Sequence, residues 1–133
     1  MRVAELMVTD LTVVNEDITM AEAVLQLADA RVHGAPVVDR RGRIVGVLSS
    51  SDILQATAEG TGSAEGEEVF SQTLVRDIMT TPPRTVRADD DVRTAAQRML
   101  DLDVHRLFVE DGGELIGVIA QSDIVRAVAT GKL

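Results

Sequence analysis

The chain has 133 residues, no cysteine, a net charge of −9, and 45% hydrophobic residues with Phe70 and Phe108 as its only aromatics. The acidic balance and the missing aromatic platforms argue against a nucleic acid or an anionic membrane as partner, and the missing cysteine excludes disulfides and thiolate chemistry. No apolar run approaches the ~18 residues of a spanning helix and MRVAELMVTD has no signal-peptide core, so the sequence reads as a soluble, cytoplasmic protein.

The elements run in order from a short helical turn near the start to a brief strand at Thr12 to Val14. Thr19-Met20-Ala21-Glu22 fits a capping box. Met20, Ala23, Val24, Leu27 and Ala28 then give the following helix one apolar stripe. Ala35 to Val38 and Ile44 to Leu48 are β-branched runs around an Asp39-Arg40-Arg41-Gly42-Arg43 turn, a solvated loop between adjacent strands. A helix over Ser51 to Ala58 follows. The Gly-rich, acidic stretch Glu59 to Glu68 reads as a solvated linker. The same series then returns: a helix from Asp91 with Val92, Ala95, Ala96, Met99 and Leu100 on one face, strands over Leu107 to Val109 and Leu115 to Ile119, and a helix over Ser122 to Ala129.

The return is residue by residue. At a spacing of 72, Val3 matches Val75, Met7 matches Met79, Val14 matches Val86 and Val32-His33 matches Val104-His105. After the hairpin turn the spacing is 71, and GVLSSSDIL (Gly46 to Leu54) becomes GVIAQSDIV (Gly117 to Val125). Each copy alone would bury only roughly 60% of its unfolded surface, so the copies are expected to fold against each other. The expected layout is one repeat over residues 1–58, a linker over 59–73 and a second repeat over 74–133. No nucleophile–base pair and no glycine-rich phosphate loop is visible, so the chain is not expected to be an enzyme. Two separated histidines without cysteine make no metal set.

This α+β, β-α-β-β-α repeat resembles the cystathionine-β-synthase (CBS) domain, two copies of which form a Bateman module. The resemblance rests on ELMV and DIMT, on TVRADDDVRTAAQRML, on HGAPVVD and HRLFVED, and on the two Gly-hydrophobic-hydrophobic-x-x-Ser-Asp stretches. It implies a pseudo-twofold pair with inter-repeat clefts that take adenosyl ligands, AMP, ADP, ATP or S-adenosylmethionine, as regulatory rather than cofactor molecules. It also implies a homodimer that signals occupancy to an unknown protein target. The alternative is a ligand-free dimerisation or scaffold module.

The family motif ends with a Ser or Thr that helps hold phosphate, two spacers and an Asp that accepts hydrogen bonds from both ribose hydroxyls. Ser49 and Asp52 fill it in the first copy, whereas the second has Ala120 and Asp123. The resemblance also assigns a phosphate contact to a His-Arg pair, here His105 and Arg106, facing Ser49 and Asp52. The primary cleft is thus expected to hold Ser49, Asp52, His105 and Arg106. A weaker second cleft would hold Asp123, His33 and Gly34, without the serine hydroxyl or the arginine. Other readings stay open. Ser49 to Asp52 is also a plausible helix capping box, the histidines suit helix ends, and Arg106 could pair with Asp103. Thr85, Asp89, Val13 and Asp17 lie in the family's cleft-lining stretch. Phe108, where the first copy has Pro36, either narrows one cleft or offers a stacking face for adenine.

Overall fold

The computed structural model describes residues 1–60 and 71–133. The predicted linker over Glu59 to Glu68 therefore falls mostly outside the described residues.

Two compact units form, and neither coincides with one sequence repeat. One comprises Thr12–Pro83; the other joins Met1–Leu11 to Arg84–Leu133. In the first unit, β1 (Val14–Asn15), α1 (Met20–Ala30), β2 (Gly34–Val38), β3 (Ile44–Ser49) and α2 (Ser50–Gly60) are followed by a one-turn helix α3 (Val75–Ile78). The second opens with a 3-10 turn at Val3–Glu5, then has β4 (Thr85–Arg87), α4 (Val92–Leu102), β5 (Arg106–Asp111), β6 (Glu114–Ala120) and α5 (Gln121–Ala129). Each holds a three-stranded sheet, β1-β2-β3 or β4-β5-β6, in which the first pair is parallel and the second antiparallel. The parallel pair needs a crossover, which α1 and α4 provide. The fold is α+β, as the sequence pattern predicts.

Local chemistry explains the boundaries. The Thr19 hydroxyl accepts a hydrogen bond from the Glu22 amide at 3.2 Å and starts α1. Asp91 caps α4 through the Arg93 amide at 2.8 Å. Both helices end on a left-handed residue, Arg31 and Asp103, at equivalent repeat positions. In the hairpin turn the Asp39 carboxylate accepts the Arg43 and Arg41 amides. The Arg43 amide bond, ahead of the opposing effect of burial, holds the Asp39 carboxyl below its ordinary range.

The apolar stripes are narrower than the spacing suggests. Met20, Ala23 and Leu27 are buried on α1, and Val92, Ala95 and Met99 on α4. Ala28 and Leu100 are exposed instead. Together with Val24 and Ala96 they line a groove beside α2 in the first unit and α5 in the second.

The core of each unit takes a key residue from the other repeat. Val75, fully buried, packs with Val14, Ala23, Leu27, Ala35, Val37 and Leu48 of the first copy. Val3 packs in the same way with Val86, Ala95, Met99, Leu107, Val109 and Ile119 of the second. Backbone bonds secure the exchange. The Val75 and Arg76 amides donate to the Ile18 and Glu16 carbonyls, as Val3 and Ala4 donate to Asp90 and Ala88. Thr80 bridges Val47 on β3, and Val8 bridges Val118 on β6. The Gly46 and Gly117 positions are needed where these segments pass. A Cβ on either would sit 2.7 or 2.8 Å from the sulfur of Met79 or Met7, and 3.0 Å from the carbonyl of Thr80 or Val8.

Candidate functional site

The strand-to-helix turn that closes each repeat carries the candidate aspartates. In the Thr12–Pro83 unit, Asp52 lies in the first turn of α2 and is half-buried. Its Oδ2 accepts hydrogen bonds from the Ser49 amide at 2.8 Å and the Ser49 hydroxyl at 3.0 Å. The Asp52 amide donates back to the Ser49 hydroxyl at 3.3 Å. The capping box that sequence spacing allows is therefore formed. Asp52 Oδ1 accepts the hydroxyl of Thr80 at 2.7 Å.

Thr80 escapes sequence reasoning. It lies 28 residues from Asp52, in the second sequence repeat, and reaches it only because its segment pairs with β3 of the first. Position 8, the match of Thr80 at a spacing of 72, is valine, so the other copy has no counterpart. A search for polar residues present in one copy and apolar in the other would have found it.

In the Arg84–Leu133 unit, Asp123 sits equivalently in the first turn of α5, with its side chain 13% exposed. Oδ2 accepts the Ala120 amide at 2.8 Å. Oδ1 is 3.7 Å from Nη1 of Arg126, an ion pair beyond hydrogen-bond length. A pocket of 170 Å³ opens beside it, lined by Glu5, Leu6, Asp123, Arg126, Thr130 and Lys132 among others.

His33 and His105 have exposed side chains. Their defined role is in the backbone: each carbonyl accepts the first amide of the closing helix, from Ser50 or Gln121, at 2.9 Å. Gly34 follows His33 as the first residue of β2, and a Cβ there would lie 3.1 Å from the Leu48 carbonyl. Arg106 belongs to the same unit as His105, while Ser49 and Asp52 belong to the other. Its guanidinium lies 5.7 Å over the Phe108 ring rather than against Asp103. That ring is 5% exposed, so it is a packed side chain with a cation over it. Of the remaining candidates, Asp17 pairs with Arg76 and Arg40, and Asp89 with Arg87. Thr85 gives its carbonyl to Arg98 at 2.7 Å, and Val13 is exposed.

Among the described residues no group of three or more His, Cys, Asp or Glu side chains could hold a metal ion. No helix among them is long and apolar enough to cross a membrane.

Known proteins share this fold. CBSX1, a chloroplastic CBS domain-containing protein of Arabidopsis thaliana, is 32% identical over 89% of the chain. The chain spans 59% of the length of CBSX1 and 58% of that of its relative CBSX2. The structure of CBSX2 in complex with AMP superposes with a TM-score of 0.78 at 30% identity, covering 99% of this chain and 98% of that one. The CBS domain pair of MJ0100, in complex with 5′-methylthioadenosine and S-adenosyl-L-methionine, shares the fold at a TM-score of 0.72 and 24% identity, covering 100% and 98%. The CBS domain model itself matches twice, at residues 3–59 and 75–130. Two three-stranded units, each closed by an aspartate-bearing helix, and this double match carry one conclusion: the chain belongs to the CBS domain family, as a tandem pair of CBS repeats.

Proposed function

We propose that this CBS pair is a cytoplasmic regulatory module that binds an adenosyl compound, AMP, ADP or ATP ahead of S-adenosylmethionine, and passes occupancy to a protein target. The observation that carries the reading is the repeated turn: in both copies a half-buried aspartate is fixed in a first helical turn by the amide three residues before it. An ionised carboxylate so fixed can accept both hydroxyls of a ribose. Asp52 and Asp123 are the ribose acceptors in this proposal. His105 and Arg106 supply the phosphate contacts, Arg106 by the fork of donors that matches phosphate oxygens, while His33 and Gly34 serve the second site. The AMP held by CBSX2 supports this choice of ligand class.

A thermal-shift series with AMP, ADP, ATP, NAD and S-adenosylmethionine tests the proposal. A ligand at 100 times its Kd should add about 2.7 kcal/mol of stability and raise the melting point by several degrees. A melting point unmoved by all five overturns it. That outcome would favour the second reading, a ligand-free scaffold, which the internally bonded Asp52 carboxylate supports.

Either reading includes a homodimer. Each unit leaves an apolar groove beside its closing helix, with Leu54 69% exposed in one and Leu100 72% exposed in the other. The two grooves match in repeat position and apolar character, so a second copy can present the same faces in return. Leu54→Glu with Leu100→Glu is expected to give monomers by light scattering, with helical circular dichroism unchanged. Dimers that persist in the double variant would remove these faces as the interface.

A further inference from the structure

The hydrogen bonds at the two aspartates rank them as ligand acceptors, given the adenosyl-binding reading on which this ranking rests. A carboxylate presents about four lone-pair positions, two on each oxygen. At Asp52 three are filled from within the chain: Oδ2 by the Ser49 amide and hydroxyl, Oδ1 by the Thr80 hydroxyl. A vicinal diol needs two positions, and only one remains open. One of the two protein hydroxyls must turn away before both ribose hydroxyls can bind. At Asp123 a single hydrogen bond, from the Ala120 amide, is formed among the described residues. Arg126 stands beside Oδ1 as an exposed ion-pair partner at 3.7 Å and is free to turn toward an incoming phosphate.

We infer, in the reverse of the order expected from the sequence, that Ser49 and Thr80 form a hydroxyl latch on Asp52, so that the Asp123 site fills first and the Asp52 site only when the latch opens. The residues that match the latch in the other copy are Ala120 and Val8, neither of which carries a hydroxyl. The asymmetry is thus written into both partners of the contact. Opening also releases the side-chain tie between α2 and the Met79–Thr80 segment, whose backbone stays paired to Val47. Occupancy of the Asp52 site therefore reaches the segment that leads into Arg84–Leu133. Thr80 is a positioning residue in this scheme: it acts on the ligand through Asp52.

Calorimetric titration with AMP, and with 2′-deoxy-AMP as a probe lacking the diol, tests the latch. In the wild type Asp123→Asn should remove the tighter site and Asp52→Asn should spare it. On the Asp123→Asn background, Ser49→Ala with Thr80→Val copies the Ala120 and Val8 arrangement at Asp52. AMP affinity should then rise about tenfold, the worth of one hydrogen bond to a charged group, with no gain for 2′-deoxy-AMP. Thr80→Val alone, at an exposed position, should give about a threefold rise, and Thr80→Ser should restore the wild-type value. Loss of the tighter site in Asp52→Asn, or affinity unchanged or reduced in the latch variants, overturns the latch while leaving the adenosyl reading intact. Absence of AMP binding in wild type and latch variants alike overturns the latch, and the adenosyl reading falls with it only when ADP, ATP, NAD and S-adenosylmethionine also leave the melting point unmoved.

Discussion

A chain that begins at Thr12 is expected to lose the fold of the Arg84–Leu133 unit, more than seventy residues downstream of the cut. Val3 is the fully buried apex of that unit's core, and Leu6 and Met7 pack against the same cluster. Burying a valine contributes about 2 kcal/mol, and two partly buried side chains add a similar amount. The cut also removes the paired amides and carbonyls of Val8 and Val118, the Val3 to Asp90 and Ala4 to Ala88 bonds, and the Met1 carbonyl that accepts from Val92. The loss is on the order of 5 kcal/mol, as large as the whole stability of many domains. Hydrogen exchange followed by mass spectrometry checks this. Amides of β5 and β6 should exchange far faster in the truncated chain, while those of β2 and β3 keep more of their protection. Unchanged protection across Leu107 to Val109 would show that the amino-terminal segment is dispensable to that core.

The second large effect is expected at Gly46. A side chain there meets the Met79 sulfur at 2.7 Å, its Cγ at 3.0 Å and the Thr80 carbonyl at 3.0 Å. The sulfur can swing aside, but the carbonyl cannot, because it accepts the Val47 amide at 3.0 Å. Gly46→Val must therefore push the Met79–Thr80 segment off β3. We expect a loss of about 3 kcal/mol, at the upper end of ordinary overpacking, seen as a lower urea midpoint with the slope retained. Gly117→Val should behave alike, since the Val8 carbonyl is also 3.0 Å away. A midpoint unmoved by either substitution would mean that the exchanged segments can lift away at little cost.

These two results concern the same feature from opposite sides, and both bear on the ligand site. Thr80 comes within 2.7 Å of Asp52 only because the exchanged segment is held on β3. Disturbing Gly46 should therefore loosen the hydroxyl latch as well as the fold.

Much of the architecture was legible in the residues alone, for a physical reason. Duplication writes the same pattern twice, and a pattern of period 3.6 or of short β-branched runs decides helix or strand locally. The helices over Met20–Ala30 and Val92–Leu102, both hairpins and the closing helices lie where the sequence places them to within a few residues. The brief first strand, expected at Thr12 to Val14, is Val14–Asn15 because it extends only where it finds partners, Val37 and Val38. The stripe on α1 and α4 was overdrawn at Ala28 and Leu100 because periodicity reports a face but not which neighbour covers it.

At the candidate site the resemblance offered Ser49, Asp52 and Asp123, and the capping bonds that hold the aspartates were legible in the spacing, since a local turn brings residues three apart together whatever surrounds them. It ranked the two copies by the missing hydroxyl at Ala120. Only the tertiary structure decided what each carboxylate touches, because hydrogen bonds across 28 residues depend on where the chain crosses between units. That crossing sends Val3 and Val75 into each other's repeat, sets Thr80 on Asp52 and leaves Val8 beside no counterpart bond. The repeat is a property of the sequence; the exchange, and with it the inequality of the two aspartates, is a property of the fold.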